Sequence, residues 1–189
     1  MSSSSGILAD MSTDTLNMPS EQRDESWLMD RLNTIWLSYF PDITRTNTVQ
    51  AVFGQQSKTR LGSIGMQGWR KTGKDQVYKM ARHINEDTTV IKLTGYFKNP
   101  EIPGYVIDVT IAHEIIHYAH GFHSPLPQLY PHPHQGGIVD KELKRRGLGD
   151  MLKLQKAWLK THWATYIPVR KPRRRHVKRL SLLQLISGR

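Results

Sequence analysis

The chain has 189 residues, no cysteine and a formal net charge of +11. That length fits one globular body with tails. The lack of cysteine excludes disulfides, thiolate nucleophiles and cysteine-ligated zinc, so a metal site must be built from His and carboxylates. No run approaches 18 apolar residues, so no membrane span is expected. The N-terminal stretch lacks the basic and apolar regions of a secretory signal, and the expected location is the cytoplasm or nucleoid. The charge is unevenly placed: up to Asp150 there are 16 basic and 16 acidic residues, and after it 11 basic residues and no acid. A basic end of that kind suits a polyanion, with DNA first and an anionic membrane surface second.

Residues 1–24, rich in Ser, Thr and Asp, read as a flexible leader. From Glu25 the apolar residues Trp27, Leu28, Leu32, Ile35, Trp36 and Tyr39 recur at helical spacing until Pro41, predicting a helix over about 25–40. Thr48–Phe53, Thr59–Met66 and Thr88–Leu93 read as three strands. The polar, Gly- and Lys-rich segment 67–80 reads as an irregular inserted loop. A helix is expected over Tyr105–His120, with Asp108 or Thr110 as N-cap and Gly121 as its stop. Four prolines make 122–137 irregular. A helix then resumes near Gly137, with Ile138, Val139 and Leu143 on one side, and stops at Gly147 or Gly149. A last amphipathic helix spans 150–166, carrying Leu152, Ala157, Trp158, Leu159 and Trp163. Pro168 closes the body, which runs over 25–167 and leaves a basic tail over 168–189.

The chemistry concentrates in His113-Glu114-Ile115-Ile116-His117, an H-E-x-x-H pattern. Residues four apart lie about one turn apart on one helix face, so the two imidazoles can reach one zinc ion. Glu114, about a quarter-turn round, reaches water beside the metal rather than the metal itself and serves as general base. Ile111, Ala112, Ile115, Ile116 and Ala119 cover the opposite side, which turns the histidines away from the core. A catalytic zinc needs a third protein ligand. Five residues compete for it. His123 has the metzincin spacing, although that pattern puts glycine where His120 stands. His132 and His134 precede the next helix, and Glu142 lies on it. His120 shares the ligand face but makes a poor tetrahedral set with two residues of its own helix. Tyr118, Tyr130 and His132 are candidates for steadying an oxyanion.

The order of helix, three short strands, H-E-x-x-H helix, loop and His-x-Gly-Gly leading into a helix resembles the SprT-like metallopeptidases, the group that includes Spartan. The Thr59–Ile64 strand and the Tyr105–Tyr118 stretch carry the resemblance, which covers roughly residues 25–165. In that group the third histidine sits in a Gly-His-Gly-x-x-Phe type of sequence. The matching stretch is Pro133-His134-Gln135-Gly136-Gly137-Ile138, which carries the third-ligand role onto His134. The sequence departs from the pattern at Pro133 and Ile138, and the cysteine zinc ribbon of some members is absent. The resemblance implies an α+β, zincin-like domain with a small sheet packed on helices. It also implies a Zn2+ cofactor, peptide-bond hydrolysis and an association with DNA-bound protein substrates. Arg170, Lys171, Arg173, Arg174, Arg175, Lys178 and Arg179 could then hold phosphates without reading bases. The rival expectation is a zinc-containing DNA-binding accessory protein without turnover, against which Glu114 speaks.

Overall fold

The computed structural model describes residues 22–67, 69–72, 77–80 and 88–167. The expected basic tail and most of the expected leader lie outside these residues. Among the described residues the fold is α+β, with four α-helices and a small three-stranded mixed sheet. Helix α1 spans Glu25–Tyr39, α2 Gly104–Ala119, α3 Ile138–Arg145 and α4 Gly149–Tyr166. Strands are β1 Thr48–Phe53, β2 Gly62–Met66, β3 Trp69–Thr72, β4 Val77–Met80 and β5 Thr88–Leu93. The sheet order is β1-β5-β2, with β1 parallel and β2 antiparallel to β5.

The folded body begins before Glu25. Asp24 caps α1 by accepting the Trp27 amide at 2.8 Å. Buried Arg23 donates to the carbonyls of Phe97, Asn99 and Pro100. The apolar residues of α1 bury as their spacing predicts: Leu28, Leu32, Ile35 and Trp36 enter the core. On β5, Ile91 and Leu93 face that core while Lys92 is exposed, the period-2 alternation of a sheet solvated on one face. Segment 67–80 reads as irregular in sequence, but β3 and β4 within it pair as antiparallel strands, Trp69 with Met80 and Thr72 with Val77. Its β-formers Trp69, Val77 and Tyr78 are diluted by Lys and Gly, which hides the pattern.

Helix α2 runs through the middle of the molecule. Twelve of its residues are buried, from Val106 to Tyr118, so it has no single rear face, and Ala119 is only half-buried. It starts at Gly104 behind Pro103, with no side-chain cap. Neither Asp108 nor Thr110 caps it, because both lie inside the helix, past its first turn. Asp108 is ion-paired with Arg31 of α1, and Thr110 donates to the Val106 carbonyl at 2.8 Å. Gln155 of α4 reaches across to the Val106 carbonyl at 2.8 Å and Thr110 Oγ1 at 3.0 Å. These bonds satisfy polar groups that would otherwise be costly in so apolar a setting. Gly147, with φ of +83°, takes the left-handed conformation that ends α3 and lets α4 start. On α4, Leu152 and Trp163 are buried and Trp158 and Leu159 partly so, but Ala157 is exposed.

Candidate metal centre

The helical spacing sets two of the site's imidazoles side by side. The rings of His113 and His117 stand 4.8 Å apart between centroids, nearly perpendicular. The third comes from the loop after α2. Gly121, with φ of +79°, turns the chain back so tightly that a Cβ there would collide with the Pro127 carbonyl. The returning loop is tied down by backbone bonds from Phe122 to His117 O at 2.9 Å and from Leu129 to His120 O at 3.1 Å. Ser124 Oγ donates to Tyr118 O at 2.7 Å, and Thr89 Oγ1 on β5 donates to His123 O at 2.9 Å. The loop thus delivers His134 over α2, with its ring 5.2 Å from His113 and 4.7 Å from His117.

One candidate ligand atom from each of His113, His117 and His134 lies within 4.8 Å of the other two, and no other such trio occurs among the described residues. Tetrahedral zinc with bonds of about 2.0–2.1 Å needs nitrogens about 3.3 Å apart, so the rings must draw in somewhat. The donor set fits: three imidazoles, with the fourth side open to the cleft. Burial, aided by the neighbouring histidines, depresses His117 to about 3 and His113 to about 4, so both rings are neutral and hold lone pairs for a cation. His117 Nδ1 is buried without a hydrogen-bond partner, an orphaned polar atom of the kind a ligand accounts for.

Glu114 is outside this trio. Its carboxyl is 5% exposed and no described residue hydrogen-bonds it. Burial raises its pKa to about 8, against a smaller opposing pull from Arg60. The carboxyl lies against the backbone of β2. A Cβ on Gly62 would stand 2.5 Å from Glu114 Oε1, so a larger residue there would push the carboxyl out of its present position. Gly62 is a site residue that sequence reasoning did not single out. Its signal was a glycine inside a strand. Arg60, Gly62, Ser63 and Ile64 form one wall of the cleft, and the histidines with Glu114 the other.

The other candidates go elsewhere. His123 lines the cleft in a left-handed conformation with φ of +54° but does not join the trio. His120 is 6% exposed and its ring packs on Tyr130. His132 is exposed. Glu142 is engaged by Arg145 and Arg146, and Arg146 also holds Asp42, so Arg146 ties the end of α3 to the segment after α1. Tyr118 is fully buried, and its hydroxyl donates to Asn47 Oδ1 at 2.8 Å and accepts from the Thr46 amide at 3.0 Å. It is a structural residue and cannot reach an oxyanion. No family model matches the sequence, and neither a curated protein nor a solved structure matches it.

Proposed function

We propose that the protein is a zinc-dependent peptidase of the SprT-like, zincin-like kind, with His113, His117 and His134 holding the metal and Glu114 as general base. The observation that carries this reading is one cleft holding three clustered imidazoles and, beside them, a buried carboxyl with no hydrogen-bond partner among the described residues. A buried ionisable group without a partner is costly to the fold and is typical of functional sites. Zinc held there supplies Lewis acidity to a peptide carbonyl, acidifies water and favours the ionised form of Glu114. Glu114 takes the proton of the attacking water on a carboxylate oxygen and passes it to the leaving amine nitrogen. The β2 wall keeps that carboxylate pointed along the cleft, and the apolar body of α2 keeps bulk water from its other side. The test is hydrolysis of an unfolded protein by the zinc-loaded chain beside its Glu114→Gln variant, and equal rates would remove the reading.

The third ligand separates this site from a metzincin-like one. His134→Ala is expected to weaken Zn2+ binding by more than about 100-fold, beyond what loss of an outer-shell partner costs. His123→Ala, His132→Ala and Glu142→Ala should each stay within roughly tenfold of the parent, with 10–100-fold reserved for outer-shell partners. Competition with a chromophoric chelator measures all four, and a larger loss in His123→Ala would overturn the assignment.

The charge asymmetry favours a second activity beside the first, DNA binding through residues 168–189, and with it a substrate pool of DNA-associated proteins. Eight basic residues and no acid lie in that segment. Removing residues 169–189 should weaken binding to all DNA sequences alike and flatten the salt dependence by roughly one unit per lost phosphate contact. The check is a salt titration with single- and double-stranded DNA. Unchanged affinity and slope would make the tail a solvated end only.

A further inference from the structure

A second cavity of about 300 Å³ adjoins the catalytic cleft and shares Arg60 and Ser63 with it. Two cations, Arg60 and Lys92, line it beside the polar side chains of Gln55, Ser57, Thr59 and Ser63, and no carboxylate is among its described lining residues. Both cations are exposed, and neither is ion-paired with a described residue. Lys92 and Ser63 are cross-strand partners in the β2–β5 register, so ammonium and hydroxyl stand on one face of the sheet. The approach to Arg60 is held rigid. Thr94 Oγ1 donates to Ser57 O and accepts the Ser57 amide, both at 2.9 Å, and the Arg60 amide donates to Ser57 Oγ at 3.1 Å. Backbone bonds from Gly54 to Leu93 O and from Thr94 to Leu61 O fasten both ends of the turn to β5.

Arg60 also lines a third cavity, which runs from Glu114 towards Gln155, so an extended chain passing Glu114 along β2 passes Arg60. We propose that the Arg60–Lys92 cavity is a subsite for an acidic side chain of the substrate, Asp or Glu, close to the cleaved bond. This rests on the peptidase reading above. Arg60 offers a planar fork that suits a carboxylate's two oxygens, Lys92 adds a point charge, and the hydroxyls donate the remaining hydrogen bonds. The preference the subsite creates is for the charged residue over its amide, because an amide leaves two cations without their counter-charge.

The test has two arms, each comparing the full-length zinc-loaded protein with its Arg60→Gln/Lys92→Gln double variant. In the first, a peptide library is digested and the cleavage sites are sequenced by mass spectrometry. Asp or Glu should be enriched at one fixed position near the cleaved bond, and the ratio of kcat/KM for a Glu peptide over its Gln counterpart should be roughly tenfold, falling to near one in the double variant. The second arm needs no turnover. Both proteins also carry Glu114→Gln, and fluorescence anisotropy follows a labelled alternating Ala-Glu decapeptide against its Ala-Gln counterpart. The same tenfold preference and the same collapse are expected. The basic tail is present in both proteins, so its attraction for acidic peptides cancels. Binding selectivity without any cleavage would remove the peptidase reading and leave the subsite standing. Equal selectivity in parent and double variant would overturn the subsite whatever the cleavage result. So would a double variant that loses affinity for a dT12 oligonucleotide while keeping its peptide selectivity.

Discussion

Glu114→Gln is expected to keep one equivalent of zinc while hydrolysis of an unfolded protein falls by roughly 10²–10⁴-fold, the span of a lost general base. The metal is retained because Glu114 is not one of the three clustered residues. The fold is retained because Gln matches Glu in shape, so the close approach to Gly62 is undisturbed. Thermal stability should be equal or higher, since a neutral amide is cheaper to bury than a carboxyl whose ionisation burial already opposes. That combination separates a lost proton acceptor from a damaged structure. The measurements are elemental analysis, a melting curve and a proteolysis rate on the same preparation. Activity within a few-fold of the parent would take Glu114 out of the mechanism. A lowered melting temperature would show that the carboxylate has a structural partner.

His117→Ala carries the largest expected effect on the metal. Zinc affinity should fall by more than about 100-fold, because a residue bonded to the metal contributes more than one that only orients such a residue. His117 is buried at 5% exposure and its ring sits against both other imidazoles, so its removal takes out the centre of the trio. The loss is also readable without activity. Metal that binds only the folded chain stabilises it by about 4 kcal/mol at a thousandfold excess over Kd, so a chelator should lower the melting temperature of the parent. The same chelator should leave His117→Ala unmoved. His132→Ala, exposed and outside the trio, should respond as the parent does. A parent protein that holds no zinc after zinc-supplemented expression, or whose melting ignores chelation, would remove the metal centre from the account.

Much of this molecule is legible because its local rules are strong. The bounds of β1 and β5 follow from short β-branched runs, and α1 from a clean apolar stripe ending at proline. The adjacency of His113 and His117 follows from helix geometry alone, since 100° per residue leaves positions four apart on one face. The start of α2 was hidden for the opposite reason. Asp108 and Thr110 look like caps in sequence, but Arg31 and Gln155 claim them in space. The β3–β4 pairing carried too weak a pattern to be read.

His113, Glu114 and His117 were therefore readable as a candidate set from spacing, whereas the partner of that set was not. His120, His123, His132, His134 and Glu142 all lay near enough in sequence to compete, and no periodicity ranks residues across a proline-rich loop. The family resemblance pointed to His134, and the tertiary structure brings that residue to the other two. It does so through contacts that are distant in sequence or depend on one turn: Gly121 folding under Pro127, Ser124 bonding to α2, and Thr89 of β5 holding the His123 carbonyl. Glu142 was removed from the competition by Arg146, whose second partner, Asp42, lies a hundred residues earlier. The chain by itself determined which residues a helix turn places side by side. Which loop residue joins them, and that Glu114 lies against Gly62, was decided by packing between segments that no local rule connects.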